Sequence, residues 1–410
     1  MRKIALFGRG KTTRAVANRL KGCDFFDDRF KTPSRDEEGR ALLPPDGFDP
    51  ARYPLQIPSP GFPPAHPLIK KASNLISEYD LFLSPVGQQE GQISQPLPYT
   101  VWVSGTNGKT TTTQMITHLL SKRGAVSGGN IGTPLAELDP RAPIWVLETS
   151  SFTLHYTRYA KPDLYVLLPL SPDHLDWHGG WEGYVHDKLK PLHLMREGEA
   201  ILLPNNLADT PTKGFKIPYG NADDLARYFG IQTDKIRFQG AFLLDALLAL
   251  GVSKILFDEI DYDAVNAFVL DPHRQEPLRD AKGRLWINDT KATNPDATIQ
   301  ALKPYADRPI HLILGGEDKG VDLSALFEAL KGYEITLYAV GKNARRIEGL
   351  ANEHNIPCRY CETLDRAVSA IDRDHTLQSV ALLSPAAASL DQFANYAERG
   401  NLFKELVRNL

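Results

Sequence analysis

Short runs rich in Val, Ile and Leu recur along this 410-residue chain, nearly continuous in apolar character, with helical stretches between them. A run that is apolar at every position is buried on both faces, the condition of a strand in a parallel sheet covered by helices. The pattern predicts an α/β fold and occurs in three blocks. The first holds "KIALFG" (3 to 8) and "LFLSP" (81 to 85), with a proline-rich loop, "PSPGFPPAHP" (58 to 67), between them. The second holds "YTVWVSG" (99 to 105), "IWVLETS" (144 to 150), "LYVLLPL" (164 to 170) and "AILLPN" (200 to 205). The third holds "RLWIND" (284 to 289), "IHLILGG" (310 to 316), "ITLYAVG" (335 to 341) and "SVALLSP" (379 to 385). Boundaries fall in the polar joints near residues 94 and 272, so domains over 1–93, 94–271 and 272–410 are expected. The length agrees, since a single core rarely grows past about 250–300 residues.

Lysine plus arginine number 47 against 50 acidic residues, a net charge of -3, which argues against nucleic acid as the main partner. No apolar run approaches the roughly 18 residues that a membrane span needs, and "MRKIALFGRG" offers too few apolar residues for a signal peptide. A cytoplasmic protein without membrane insertion is expected. Three cysteines agree with a reducing compartment. Cys358 and Cys361 form a lone CxxC with no second pair, which reads as chance spacing rather than half of a zinc site.

Two stretches place lysine and threonine behind glycine, "GRGKTT" (8 to 13) and "GTNGKTTTT" (105 to 113). Neither has the glycine six residues before its lysine that the standard GxxxxGK[ST] loop requires. The second still lies between a strand, "YTVWVS", and an amphipathic helix, "TTTQMITHLLSK", as a shortened phosphate loop. Backbone N–H groups of Gly105, Thr106, Asn107, Gly108 and Lys109, with those of Thr110 and Thr111 opening the helix, would face phosphate where the helix dipole favours negative charge. Lys109 would neutralise the outer phosphates, and the Thr110 hydroxyl suits Mg²⁺. The first stretch begins a GxGxxG fingerprint, but Thr13 stands in place of the third glycine. Downstream, Asp27 and Asp28 of "FFDDRF" are either ribose ligands at a strand end or solvated turn residues.

At "SGTNGKTTTT" the chain resembles the Mur ligase superfamily of ATP-dependent amide ligases, and "NDTKATN" (288 to 294) and "LLSPAAASLDQFANYAERG" (382 to 400) are similar to the signatures of its D-glutamate-adding branch. The resemblance implies a Rossmann-like N-terminal domain for the UDP end of the substrate, a central mononucleotide-binding ATPase domain, and a Rossmann-like C-terminal domain for the amino acid. It implies UDP-N-acetylmuramoyl-L-alanine and D-glutamate as substrates of a monomer, with ATP cleaved through an acyl phosphate. Lys11, Thr12, Asp27, Asp28, Arg29 and Gly61 would meet the UDP portion. Asn130 of "NIGTP" would lie near the γ-phosphate, and Glu148 of "LETSSF" would bind Mg²⁺. His174 of "SPDHLDWH" would hold a second Mg²⁺, with Asp173 as its companion. Lys188, four residues after Tyr184 in "YVHDK", would be carbamylated and so become an anionic oxygen ligand, a role Lys190 lacks the tyrosine for. Arg274 of "PHRQE" would reach the ATP phosphates and Asp289 the ribose or its water. Lys291 and Lys319 would meet the D-glutamate side chain, with Thr293, Ser389, Leu390 and Tyr396 around it.

His178, His186 and His193 belong to no motif and are expected at the surface. One departure stands out. In "GAFLLDALLALG" (240 to 251), Phe242 and Asp245 occupy positions where the family shows a histidine and an adenine-contacting asparagine, which puts adenine contacts there in doubt. Two rivals remain: a folylpolyglutamate synthetase-like ligase, which shares the phosphate loop, and a regulator that binds nucleotide without ligation.

Overall fold

The computed structural model describes residues 3–130, 132–317 and 320–410. Seventeen strands among the described residues make three sheets. The first contains β1 (Ile4–Phe7), β2 (Cys23–Phe26), β3 (Ser34–Arg35), β4 (Ala41–Leu43) and β5 (Leu55–Pro58), in the order β3-β4-β2-β1-β5. The second contains β6 (Tyr99–Ser104), β7 (Ala125–Gly129), β8 (Ile144–Glu148), β9 (Leu164–Leu167), β10 (Ala200–Pro204) and β11 (Phe215–Tyr219), in the order β11-β10-β9-β6-β8-β7. The third contains β12 (Glu276–Arg279), β13 (Leu285–Asn288), β14 (Ile310–Leu314), β15 (Ile335–Val340), β16 (Cys358–Glu362) and β17 (Val380–Leu383), in the order β12-β13-β17-β14-β15-β16. Pairing is parallel except for β3 with β4 and β12 with β13.

The chain divides into two compact units, Met1–Phe238 with Phe242–Phe268, and Gln239–Ala241 with Val269–Leu410. In the first unit the first two sheets share one apolar core, in which Leu6, Phe25 and Ile57 belong to the same cluster as Trp102, Trp145 and Leu167. "LFLSP" is no strand. Its Leu81, Phe82 and Leu83 end a helix, Glu78–Leu83, whose start is fixed by a reciprocal capping box between Ser77 and Asp80, and Ser84 and Pro85 lead into the next helix, Pro85–Gly91. A three-residue apolar run carries no period of its own, so the polar residues before it decide the structure.

Register positions the site. Val103 of β6 pairs with Glu148 of β8, and Ser104 pairs with Leu167 of β9, so the carboxyl ends of three parallel strands finish together. Open α/β sheets bind ligands at that edge. Among the described residues one helix, Gly240–Phe257, is long and apolar enough by length and composition to cross a membrane, but half of it is buried inside the protein. Asp245 sits in its buried stretch, which marks it as a core helix.

In the second unit, alternate residues of β14 feed clusters on opposite faces of the sheet: Leu312 and Leu314 on one, Ile313 on the other. Because β17 lies between β13 and β14, the segments leaving β13 and β17 emerge side by side.

Candidate active site

The shortened phosphate loop has the conformation its glycines imply. Gly105 and Gly108 take φ of +138° and +83°. A Cβ on Gly105 would stand 2.4 Å from the Leu168 Cβ, and one on Gly108 would stand 2.8 Å from Asp245 Oδ1. Both positions therefore require glycine for conformation and for space. The helix Lys109–Leu119 starts directly behind, leaving its first N–H groups free of helical partners. Lys109 Nζ donates to the Gly105 and Thr106 carbonyls at 3.1 and 2.6 Å. Thr106 Oγ1 lies 2.8 Å from the Tyr184 hydroxyl and accepts from the Ser171 N–H, tying the loop to its flanks. Thr111 faces the core, where its hydroxyl has no hydrogen-bond partner, so any phosphate contact from that position falls to its N–H.

Asp245, the unexpected residue, lies beneath this loop. It is buried and accepts the Thr112 hydroxyl at 2.8 Å, so it holds the helix that the loop opens.

Glu148 ends β8 with 3% of its surface exposed. One carboxylate oxygen accepts the Thr110 hydroxyl at 2.7 Å and the other the Asn130 amide at 2.6 Å. The Tyr79 hydroxyl donates to the Glu148 carbonyl at 3.1 Å from the helix Glu78–Leu83. Sequence reasoning missed Tyr79, which lies just before the run read as a strand and belongs to no motif. A hydroxyl and a carboxylate side by side are the oxygen donors that Mg²⁺ prefers, so Thr110 and Glu148 fit that ion.

Lys188 is buried in the helix Trp181–Leu194 and donates to the Gly105 carbonyl at 2.8 Å and to Ser104 Oγ at 3.2 Å. Burial drives its pKa well below the ordinary lysine value, and Lys109 adds to the effect, while Asp173, Glu148 and Asp187 oppose it. His174 takes a left-handed φ of +52° at the start of a short helix, pairs with Asp173 at 3.5 Å and packs on Phe152 with ring centres 4.7 Å apart. About half of its side chain is exposed.

His178 overturns its expected surface position. Its side chain is fully buried, its Nδ1 lies 2.8 Å from Asp187 Oδ2, and burial lowers its pKa. His186 and His193 are exposed as expected. The pair of His178 and Asp187 carried no sequence signal, because it forms between two helices.

In the first sheet, Thr13 explains the broken fingerprint. Its hydroxyl donates to the Gly8 carbonyl at 2.7 Å and accepts the Gly10 N–H at 3.0 Å, closing the turn from inside. Asp27 accepts from the Arg9 N–H and from the N–H and guanidinium of Arg29. The Arg29 hydrogen bonds are the main cause that holds it down at about 2, so it is no merely solvated turn residue. Asp28 is mostly exposed and lies 3.0 Å from His66, in the wall of a cavity of about 320 Å³. Thr12 is half-buried on the helix Lys11–Arg19. Lys11 donates to the Gly132 carbonyl, and the Gly61 carbonyl accepts from the Trp177 indole at 3.3 Å.

In the second unit Asp289 is buried and accepts the Ser384 hydroxyl at 2.9 Å and the Gln275 N–H at 3.2 Å. Burial pushes it up to about 7 against those bonds and Arg274, which is half-buried. Lys291 stands 3.9 Å over the Tyr396 ring. Thr293 and Leu390 are exposed, while Ser389 is buried. Lys319 lies outside the described residues. Arg399, which sequence reasoning passed over, joins the two signature segments by donating to Thr290 Oγ1 at 2.8 Å and to the carbonyls of Thr290 and Ala387 at 3.1 Å.

Residues 103–235 match the Mur ligase middle domain, and residues 273–387 match the Mur ligase, glutamate ligase domain. The chain is 53% identical over 412 residues to a UDP-N-acetylmuramoylalanine--D-glutamate ligase of Campylobacter jejuni, with all of both chains covered. It is 45% identical to the enzyme of that name from Helicobacter pylori, over 99% of each chain. Among solved structures it is similar in fold to MurF ligase from Thermotoga maritima in complex with ADP, at 17% identity and a TM-score of 0.59 over 99% of this chain and 95% of that one. E. coli FolC in complex with DHPP and ADP is also similar in fold, at 16% identity and a TM-score of 0.55 over 82% and 94%. Full-length identity at this level, with both domain matches in order along the chain, places the protein in the Mur ligase family, among its UDP-N-acetylmuramoylalanine--D-glutamate ligases.

Proposed function

We propose that this protein joins D-glutamate to UDP-N-acetylmuramoyl-L-alanine, cleaving ATP to ADP and phosphate, as a cytoplasmic monomer of peptidoglycan precursor synthesis. The observation that carries the ATP chemistry is the Glu148 carboxylate, held by Thr110 and Asn130 at the mouth of the phosphate loop. The choice of substrates rests on the full-length relatives. In this reading the three blocks act as domains 1–93, 94–271 and 272–410, for the UDP end, the ATP and the amino acid.

A carboxylate is a poor electrophile, so the terminal carboxyl of the substrate is first phosphorylated, and the D-glutamate amine then displaces phosphate from the acyl phosphate. Bound at Thr110 and Glu148, and at His174 with carbamylated Lys188, Mg²⁺ would spread the charge of the phosphoryl group in flight. The loop N–H groups and Lys109 hold the phosphates, with Arg274 and Asp289 on the nucleotide. Burial favours the neutral Lys188 amine that reacts with CO₂. Lys11, Thr12, Asp27, Asp28, Arg29 and Gly61 grip the UDP portion. Lys291, Thr293, Lys319, Ser389, Leu390 and Tyr396 take the D-glutamate.

Phosphate release by the purified protein with ATP, Mg²⁺ and UDP-N-acetylmuramoyl-L-alanine tests the reading. Release is expected to depend on D-glutamate and to fail with L-glutamate or D-alanine. Release indifferent to D-glutamate overturns it, and release with a folate and L-glutamate instead would favour a folylpolyglutamate synthetase-like activity.

A further inference from the structure

Three segments of the first unit converge on one carboxylate oxygen. His155 Nδ1, from the helix Ser151–Tyr156, and His178 Nδ1, from the helix Leu175–His178, each lie 2.8 Å from Asp187 Oδ2 on the helix Trp181–Leu194. The three donor atoms lie within 4.8 Å of one another. Asp187 is next to Lys188 in sequence, but successive residues leave a helix about 100° apart, so the two side chains serve different sides of it. The side chains of Asp187 and His178 are 6% and 0% exposed, while that of His155 is 32% exposed and leaves a path from solvent.

Two imidazoles and a carboxylate form the donor set of a borderline divalent cation, with a fourth tetrahedral position left for water. A tetrahedral ion with bonds of about 2.0–2.1 Å sets its ligand atoms about 3.3 Å apart, so the present 2.8 Å contacts need to open by about half an ångström. His155, at the solvent side, can give that much, and the contact of the buried His178 opens by a turn of the Asp187 carboxylate. The far nitrogen of His178, Nε2, lies 2.9 Å from Ser151 Oγ, the kind of contact that fixes the tautomer and orientation of a metal-binding histidine. With a metal on Nδ1, each neutral ring keeps its one proton on Nε2, and Ser151 accepts it at His178. Trp177 stands against both rings, with centroids 5.0 and 4.5 Å away, and shields the site.

We propose that His155, His178 and Asp187 form a structural site for a zinc-type divalent cation that pins together the three helices of this region. The proposal does not rest on the ligase reading. It is tested on the full-length protein in excess Mg²⁺ and ATP, by equilibrium dialysis with Zn²⁺ and by visible spectroscopy with Co²⁺. The expected result is one Zn²⁺ per chain, an intense tetrahedral Co²⁺ band, and at least tenfold weaker binding in His155→Phe, which keeps an aromatic ring against Trp177. His155→Gln serves as a second variant, and X-ray absorption at the zinc edge of the wild-type protein, expected to read two imidazoles, needs no variant. No stoichiometric Zn²⁺ under these conditions, affinity unchanged in both variants, or an absorption spectrum without two imidazoles overturns the site.

Discussion

In the proposed reaction Lys188 takes up CO₂ and becomes an anionic metal ligand. It is buried with Ser104 Oγ and the Gly105 carbonyl as its acceptors, and no carboxylate lies within hydrogen-bond distance among its described contacts. Burying an unpaired ammonium is costly, and conversion to a carbamate exchanges it for an anion of the kind a metal holds. Lys188→Ala is therefore expected to lower kcat by at least about a hundredfold, the scale on which a missing charge-stabilising group acts. Formate or acetate is expected to restore part of the loss. Full activity in the variant, or no recovery at any carboxylate concentration, would remove the carbamate from the mechanism. The lysine was legible because a tyrosine four residues earlier marks it, and Glu148 because it ends a buried strand. His155, His178 and Asp187 were not legible, since 23 residues and then nine separate them and only tertiary packing joins them. Asp245 was visible only as a departure, and the fold places it beneath Gly108, where it accepts the Thr112 hydroxyl.

At the scale of elements, the apolar runs predicted every inner strand of the second and third sheets, but in the first sheet only β1, and they missed the edges. The central β6, β8, β9, β13 and β17 are continuous apolar runs and were expected. The short or polar edge strands β3, β7, β11, β12 and β16 were not, because their residues are set by pairing with a neighbour rather than by burial on two faces. The helix Glu78–Leu83 shows the opposite failure. Its apolar residues were read correctly as buried and wrongly as a strand, since three residues fit either period. Asp80 decides the matter: its carboxylate accepts the N–H of Ser77 and also those of Arg158, Tyr159 and Ala160. Four backbone donors on one buried carboxylate make it a latch between this helix and the turn before β9. Asp80→Ala is expected to lower unfolding free energy by about 3 kcal/mol, because the N–H groups stay buried without an acceptor. Asp80→Asn, which keeps one acceptor oxygen, is expected to fall between. Urea unfolding checks both, and a loss below about 0.5 kcal/mol for the alanine variant would deny the latch.

For the whole molecule, the two units carry buried groups whose effects on stability run in opposite directions with pH. Glu78, in the first unit, accepts the Ala136 N–H at 3.1 Å, and burial pushes it up to about 8 from an ordinary 4.5. Between those values the unfolded chain has released the proton that the folded one keeps. The unfolded state then binds fewer protons, so the Glu78 contribution to stability falls as pH rises from 4.5 to 8. His375, in the second unit, is buried between Ser379 Oγ at 2.7 Å and the Leu285 carbonyl at 3.0 Å. Burial lowers it from 6.5 to about 4, with His311 adding to the effect. Here the unfolded state binds the extra proton, so stability contributed by His375 is present above pH 6.5 and is lost as pH falls towards 4. Other groups titrate in both units, Asp289 among them, so each effect is read as the difference from its own variant. The gap in unfolding free energy between wild type and Glu78→Gln is expected to move against the wild type as pH climbs from 4.5 to 8. The gap between wild type and His375→Gln is expected to move in favour of the wild type as pH climbs from 4 to 6.5. Urea unfolding across that range measures both gaps, and two differences of the same sign between pH 4.5 and 6.5 would show that at least one of these groups is not held in the folded state as its surroundings require.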